Sequence, residues 1–155
     1  MISIIILSLI VLSIDQVSKI LIANTIDINS SIEVIKNFFY LTYTHNTGAA
    51  FSILTGKRLL LIIIAIVILI ILFNYIKKNK TNNKLEILAF SLIIGGSIGN
   101  LIDRIIRGYV VDFLDFKIFG YNFPIFNLAD TFIVIGVILI VIITLTRKEV
   151  EHDNW

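Results

Sequence analysis

The chain has no cysteine and a single proline in 155 residues. Without cysteine it can form no disulfide, thiol nucleophile or thiolate metal site, and no lipid can attach to a cysteine of its own. Charge is scarce as well: 15% of residues are charged and the formal net charge is +2. So small a basic excess leaves no footprint for nucleic acid. Internal repeats and low-complexity tracts are missing, and the length suits one domain over residues 1–155. There is no phosphate-cradling glycine loop.

What fills the chain is hydrocarbon. It is 57% hydrophobic with a mean hydropathy of +0.97, far above a soluble domain. Crossing a bilayer of about 30 Å takes roughly 17–25 helical residues. Four apolar stretches reach that length, over about Ile2–Ala23, Leu59–Ile76, Leu85–Ile102 and Ala129–Leu145. The first is expected to be a retained helix rather than a cleaved leader. It lacks a basic start and an Ala-x-Ala ending, and it carries Asp15, Gln16 and Lys19. The second has no polar side chain from Leu59 to Phe73, so lipid is expected around most of it.

Lysine placement orients the spans. Lys77, Lys78, Lys80 and Lys84 crowd the connection between the second and third, and Arg147 and Lys148 follow the fourth. The positive-inside rule puts both sites, and with four crossings both termini, in the cytoplasm. Residues 24–58 and 103–128 then lie on the outer face. FFYLTYT, residues 38–44, is aromatic and β-branched, which predicts short strands over the membrane. The expected fold class is an all-α membrane protein: four transmembrane helices with a small extracytoplasmic β-rich element.

The rare polar residues gather at that outer end. Asp15 and Lys19, in DQVSK, share a helix face at i,i+4; they read as an ion pair easing insertion or as the lining of a site. In GGSIGNLIDR, residues 95–104, Gly95 and Gly99 have the spacing for close helix approach. Asn100 and Asp103 share a face, Asp103 needs a cation for which Arg104 and Lys19 are candidates, and Arg104 and Arg107 suit a helix C-terminus. HNTGAAFS, residues 45–52, reads as a turn. Alternatively, Gly48, Ala49 and Ala50 make room for an extended peptide that Asn46 hydrogen-bonds. FNLAD reads as a helix cap, with Asn127 at the cap and Asp130 three residues on.

Asp112 has no such structural reading. In an extended VVDFLDF, residues 110–116, it shares its face with Val110, Leu114 and Phe116, where an unpaired carboxylate is costly. Asp115 is expected to point the other way, into solvent. Two carboxyl groups that share a proton in a water-poor site can hydrolyse an amide without a covalent intermediate. His45 and His152 fall on opposite sides of the membrane, which argues against a two-histidine zinc site.

Taken in order, DQVSK, NTGAAFS, GNLIDR, VVDFLDF and FNLAD resemble the motif blocks of the bacterial lipoprotein signal peptidases, the type II signal peptidases. The resemblance implies an aspartic endopeptidase of the bacterial cytoplasmic membrane that cuts diacylglyceryl-modified prolipoproteins before the lipidated cysteine. It implies Asp112 and Asp130 as the catalytic pair, with Asp15, Lys19, Asn46, Gly48, Asn100, Asp103, Arg104, Asn127 and Ala129 in support. It also implies inhibition by globomycin-type cyclic peptides, contact with membrane lipid, and no metal or organic cofactor. The reading from another class is a non-enzymatic membrane protein, an ion or proton pathway or an assembly factor. A relay would string acids through the bilayer, whereas these cluster at one end.

Overall fold

The computed structural model describes the backbone of residues 1–49 and 53–152, and side chains within those bounds as far as Thr146. In hydrocarbon a backbone must satisfy its own hydrogen bonds, and helices do this within one segment. The four apolar runs accordingly form α1 (Ile2–Thr25), α2 (Arg58–Lys78), α3 (Lys84–Ile106) and α4 (Leu128–His152). All four are long and apolar enough to cross a membrane.

The bundle is built around α3, which packs extensively on α1 and α4 and lightly on α2. Glycines permit the approach. A Cβ at Gly95 would fall 2.7 Å from both the Ser8 carbonyl oxygen and Val11 Cβ of α1. The seam with α4 uses different glycines: a Cβ at Gly136 would fall 2.7 Å from the Ala89 carbonyl oxygen, and Gly96 abuts Ala129. Gly95 and Gly99 thus have the packing role expected of them, while the α4 seam was not foreseen. Helix α2 buries only Leu61 and Ile76 among its side chains, as its unbroken apolarity suggested.

Both ends of α3 are closed by side chains. The Asn83 side chain accepts a 2.9 Å hydrogen bond from the Leu85 amide. At the other end Arg58, from the start of α2, donates to the carbonyls of Arg104 at 2.6 Å and Ile105 at 2.8 Å. Asp103 and Arg104 therefore lie within the last helical turns.

Over that end sits an antiparallel sheet, β1 (Ser31–Ile35), β2 (Phe39–Asn46), β3 (Val110–Ile118) and β4 (Tyr121–Asn122), in that spatial order. One face packs Tyr43, Val111 and Phe113 onto Ile22 and Ile26 at the end of α1. A bulge interrupts β2. Leu41 lies opposite Leu114, but Thr44 rather than Tyr43 lies opposite Asp112. The extra residue shifts side-chain alternation by one, so Asn46 faces the same side as Asp112 instead of the opposite one. Asp115 departs from expectation: it is half-buried and accepts a 2.7 Å hydrogen bond from the Thr42 hydroxyl.

Candidate active site

The deepest layer is ionic. Lys19 is fully buried, and its ammonium lies 2.9 Å from Asp15 Oδ2 and 3.0 Å from Asp103 Oδ2, both acids also fully buried. It donates a third bond, 2.9 Å long, to Asn100 Oδ1. Three donors meet three acceptors, which is what makes a buried lysine tolerable. Asp15 and Lys19 thus form the ion pair that their spacing suggested. The cation of Asp103 is Lys19, with Arg107 at 3.7 Å, and not Arg104.

These acids also tie segments together. Asp15 Oδ1 accepts from the Ala129 amide of α4 at 3.0 Å, and Asp103 Oδ2 from the Val111 amide of β3 at 3.3 Å. Gln16 joins them, donating to Asp15 Oδ2 at 3.1 Å and to the Gly99 carbonyl at 3.2 Å.

Above this layer a ring of amides holds two carboxyl groups. Because Lys19 can only donate, Asn100 must turn its oxygen toward it and its nitrogen toward Asp130 Oδ1, 2.7 Å away. Asn127 Oδ1 accepts from the Asp130 amide at 3.0 Å, and Asp130 Oδ2 accepts from the Asn127 amide at 3.3 Å. This reciprocal pair is a capping box. The Asn127 side-chain nitrogen then donates to Asp112 Oδ1 at 2.6 Å and to Asn100 Oδ1 at 3.3 Å. The cap and the site are one construction.

Asn46 donates to Asp112 Oδ2 at 2.8 Å, and its own oxygen accepts from the Gly48 amide at 2.8 Å. Its amide is thus turned to Asp112 and to the turn at Gly48. Arg104 turns away from Asp103 and donates to the Gly48 carbonyl at 2.9 Å, fastening α3 to the strand end. Ala50, part of the expected peptide-accommodating stretch, lies outside the described residues.

All eleven residues singled out in the sequence belong to this one network. Asp112 and Asp130 both line a cavity of about 550 Å³, together with Asn46, Asn100 and Arg104 and an apolar wall that includes Ile125, Ile133 and Val134. Each carboxyl group keeps two donors. Asp112 is 1% exposed. Burial, and then the neighbouring charge of Asp130, push its carboxyl up to about 7, against the pull of the Asn46 and Asn127 hydrogen bonds. A carboxyl in that range can hold or release a proton near neutrality.

Sequence reasoning missed Arg58 and Thr44. Arg58 caps α3 from a distant segment, and Thr44 reaches the cavity only because of the bulge, so no local pattern marks either. His45 turns to the other sheet face, where its Nε2 lies 2.8 Å from the Tyr43 hydroxyl and its ring stacks on Tyr109 at 3.5 Å.

Four helices long and apolar enough to cross a membrane, carrying at one end a cavity lined by two carboxyl groups, are the build of a multi-pass membrane enzyme. Two solved structures, each of a bacterial membrane enzyme determined by the in meso method, share the fold. The one at 2.3 Å resolution superposes with a TM-score of 0.87 at 46% identity, covering 94% of this chain and 88% of that one. The one at 1.9 Å gives a TM-score of 0.83 at 47% identity, covering 92% of each. Residues 7–146 match the family described as signal peptidase (SPase) II, and the chain belongs to that family. A lipoprotein signal peptidase of Staphylococcus haemolyticus (strain JCSC1435) is 50% identical over 139 residues, 88% of this chain and 87% of the relative. One of Staphylococcus aureus is 48% identical over 150 residues, 97% and 92% of the two chains.

Proposed function

We propose that this signal peptidase removes the signal peptide of diacylglyceryl-modified prolipoproteins by hydrolysing the peptide bond before the lipidated cysteine, with Asp112 and Asp130 as the catalytic pair. The observation that carries the assignment is that both carboxyl groups open on one cavity, each held by two hydrogen-bond donors.

Their surroundings divide the work. Asp130 sits in the first turn of α4, where its carboxyl oxygens accept from the Asn100 side chain and the Asn127 amide and face the cavity. Asp112, raised to about 7, is the group that keeps the shared proton. Asp130 takes a proton from water, and the oxygen of that water attacks the scissile carbonyl while Asp112 protonates the carbonyl oxygen. As the tetrahedral intermediate collapses and the C–N bond breaks, the proton on Asp130 passes to the departing nitrogen and Asp112 recovers its own. Asn46, Asn100 and Asn127 fix both carboxyl groups; Asp15, Lys19, Asp103 and Ala129 hold the elements that carry them; Arg104 and Gly48 hold the strand end.

The substrate approaches laterally from the bilayer, its acyl chains contributing about 0.8 kcal/mol per buried methylene. The lysines at the far end of the bundle support a cytoplasmic side for that end and both termini, with the cavity toward the outer face of the bacterial membrane. Globomycin-type cyclic peptides compete for the same cavity.

The test is cleavage of a diacylglyceryl-modified prolipoprotein by the purified chain, by Asp112→Asn and by Asp130→Asn. Both variants should lose turnover while still unfolding in a single cooperative thermal transition; full activity in either removes that residue from the chemistry.

A further inference from the structure

Helix α2 is fully buried only at Leu61 and Ile76, is half-buried at Ala65, Leu69 and Leu72 between them, and leaves a gap beside that stripe. The gap is real space. A cavity of about 170 Å³ lies among α1, α2 and α3, from Met1 and Ile76 down to Leu12, and a second of about 320 Å³ continues along α2 to Ile66. The two share Phe73, Ile94 and Ile98 and so form one groove, on the face of α3 turned away from Asn100 and Arg104. From Ile66 to Ile76 the groove runs about 15 Å at 1.5 Å per residue, half of the roughly 30 Å hydrocarbon core, which is the depth of one lipid leaflet. Its apolar lining and its depth suit a polymethylene chain.

The groove's mouth is charged. Ile76 packs against Ile4 and Phe90 at that end, and the chain continues directly into Lys77, Lys78, Lys80 and Lys84, all exposed. No acid occurs from Phe73 to Leu85; the next, Glu86, is buried in the first turn of α3. Four ammonium groups over a leaflet-deep apolar slot match an anionic headgroup over its own acyl chain.

We infer that the α1–α2–α3 groove and the lysines of residues 77–84 form a binding site for an anionic phospholipid, separate from the cavity at the other end of the bundle. The headgroup phosphate sits among the lysines and one acyl chain fills the gap beneath α2, completing the packing that α2 lacks. Membrane topology alone accounts for the lysines but not for the groove below them.

Native mass spectrometry of the full chain in detergent micelles tests this, comparing phosphatidylglycerol with phosphatidylcholine of identical oleoyl chains. The parent should retain one phosphatidylglycerol per chain, with about a tenfold preference at low salt that closes at high salt. Replacing the four lysines together with glutamine should abolish the preference yet leave weak binding of both lipids. Ile98→Trp, or Phe73→Trp at a half-exposed position, should weaken both lipids by obstructing the groove. Equal retention of the two lipids by the parent, or a preference that survives loss of the lysines, overturns the headgroup assignment. Displacement by sn-glycerol phosphate, or binding unchanged in both tryptophan variants, overturns the groove.

Discussion

Asn127 donates a 2.6 Å hydrogen bond to Asp112 while accepting one from the amide of Asp130, so a single side chain sets the positions of both cavity carboxyl groups. Asn127→Ala should lose the cap, worth about 1 kcal/mol. It should also lower kcat by roughly a hundredfold through misplacement of the pair. Asn127→Asp separates the two effects. It keeps the acceptor for the Asp130 amide, and hence most of the stability, but offers Asp112 a like charge instead of a donor. Thermal unfolding and turnover measured on both variants check the division.

The pH dependence has a definite sign. Asp112 has its carboxyl raised from 3.8 to about 7 in the folded chain, so between those values the folded state holds a proton that the unfolded state has released. Stability contributed by this group falls as pH rises through that window, and the full cost is present above it. Asp112→Asn should therefore be stabilised relative to the parent by about 1 kcal/mol or more at pH 8 and not at pH 4. Cleavage by the parent should decline above about pH 7, as the proton on Asp112 is lost. Unfolding midpoints at the two pH values and a rate profile measured with chemistry limiting check both statements.

Removal of the buried cation should be severe. Lys19→Met leaves Asp15 and Asp103 buried without it, a situation that costs about 3 to 5 kcal/mol. The triple variant Lys19→Met, Asp15→Asn, Asp103→Asn should recover much of that loss. It should not recover activity, because Asn100 is no longer oriented by the ammonium. Thermal unfolding and cleavage assays on the single and triple variants test the arrangement.

The α1–α3 seam admits no side chain at Gly95. Gly95→Ala places a Cβ against the Ser8 carbonyl and Val11, for an overpacking cost of about 1 to 3 kcal/mol. Val11→Ala should relieve only part of it, since alanine removes Cγ1 but keeps the Cβ, and the other obstacle is backbone. Unfolding midpoints of the single and double variants measure the split.

The membrane spans and the polar end were legible because their physical signals are local. An apolar run of membrane length has few alternatives, and Asp15 with Lys19, or Asn127 with Asp130, announce themselves by helical spacing. The partner of Asp103 was ambiguous because Arg104 is its sequence neighbour while Lys19 is brought to it by packing across two helices. Neighbours on a helix point about 100° apart, so adjacency was the weaker guide. The partners of Asn46 were hidden for a related reason. Its orientation depends on an extra residue in β2 that is visible only once the register with β3 is known. Arg58 is the extreme case, an exposed cation whose meaning lies wholly in the helix end it reaches.

The bond from the Ala129 amide to Asp15 joins the last helix to the first. A chain made from its N-terminus produces Asp15, Lys19, Asn100 and Asp112 while the segment carrying Asn127 and Asp130 is still to come. Until that final helix inserts, one carboxyl group of the pair and the amide that fastens the other are both missing. On the proposed catalytic assignment a newly made chain cannot act before α4 is in place, and its reactivity would report the arrival of that helix.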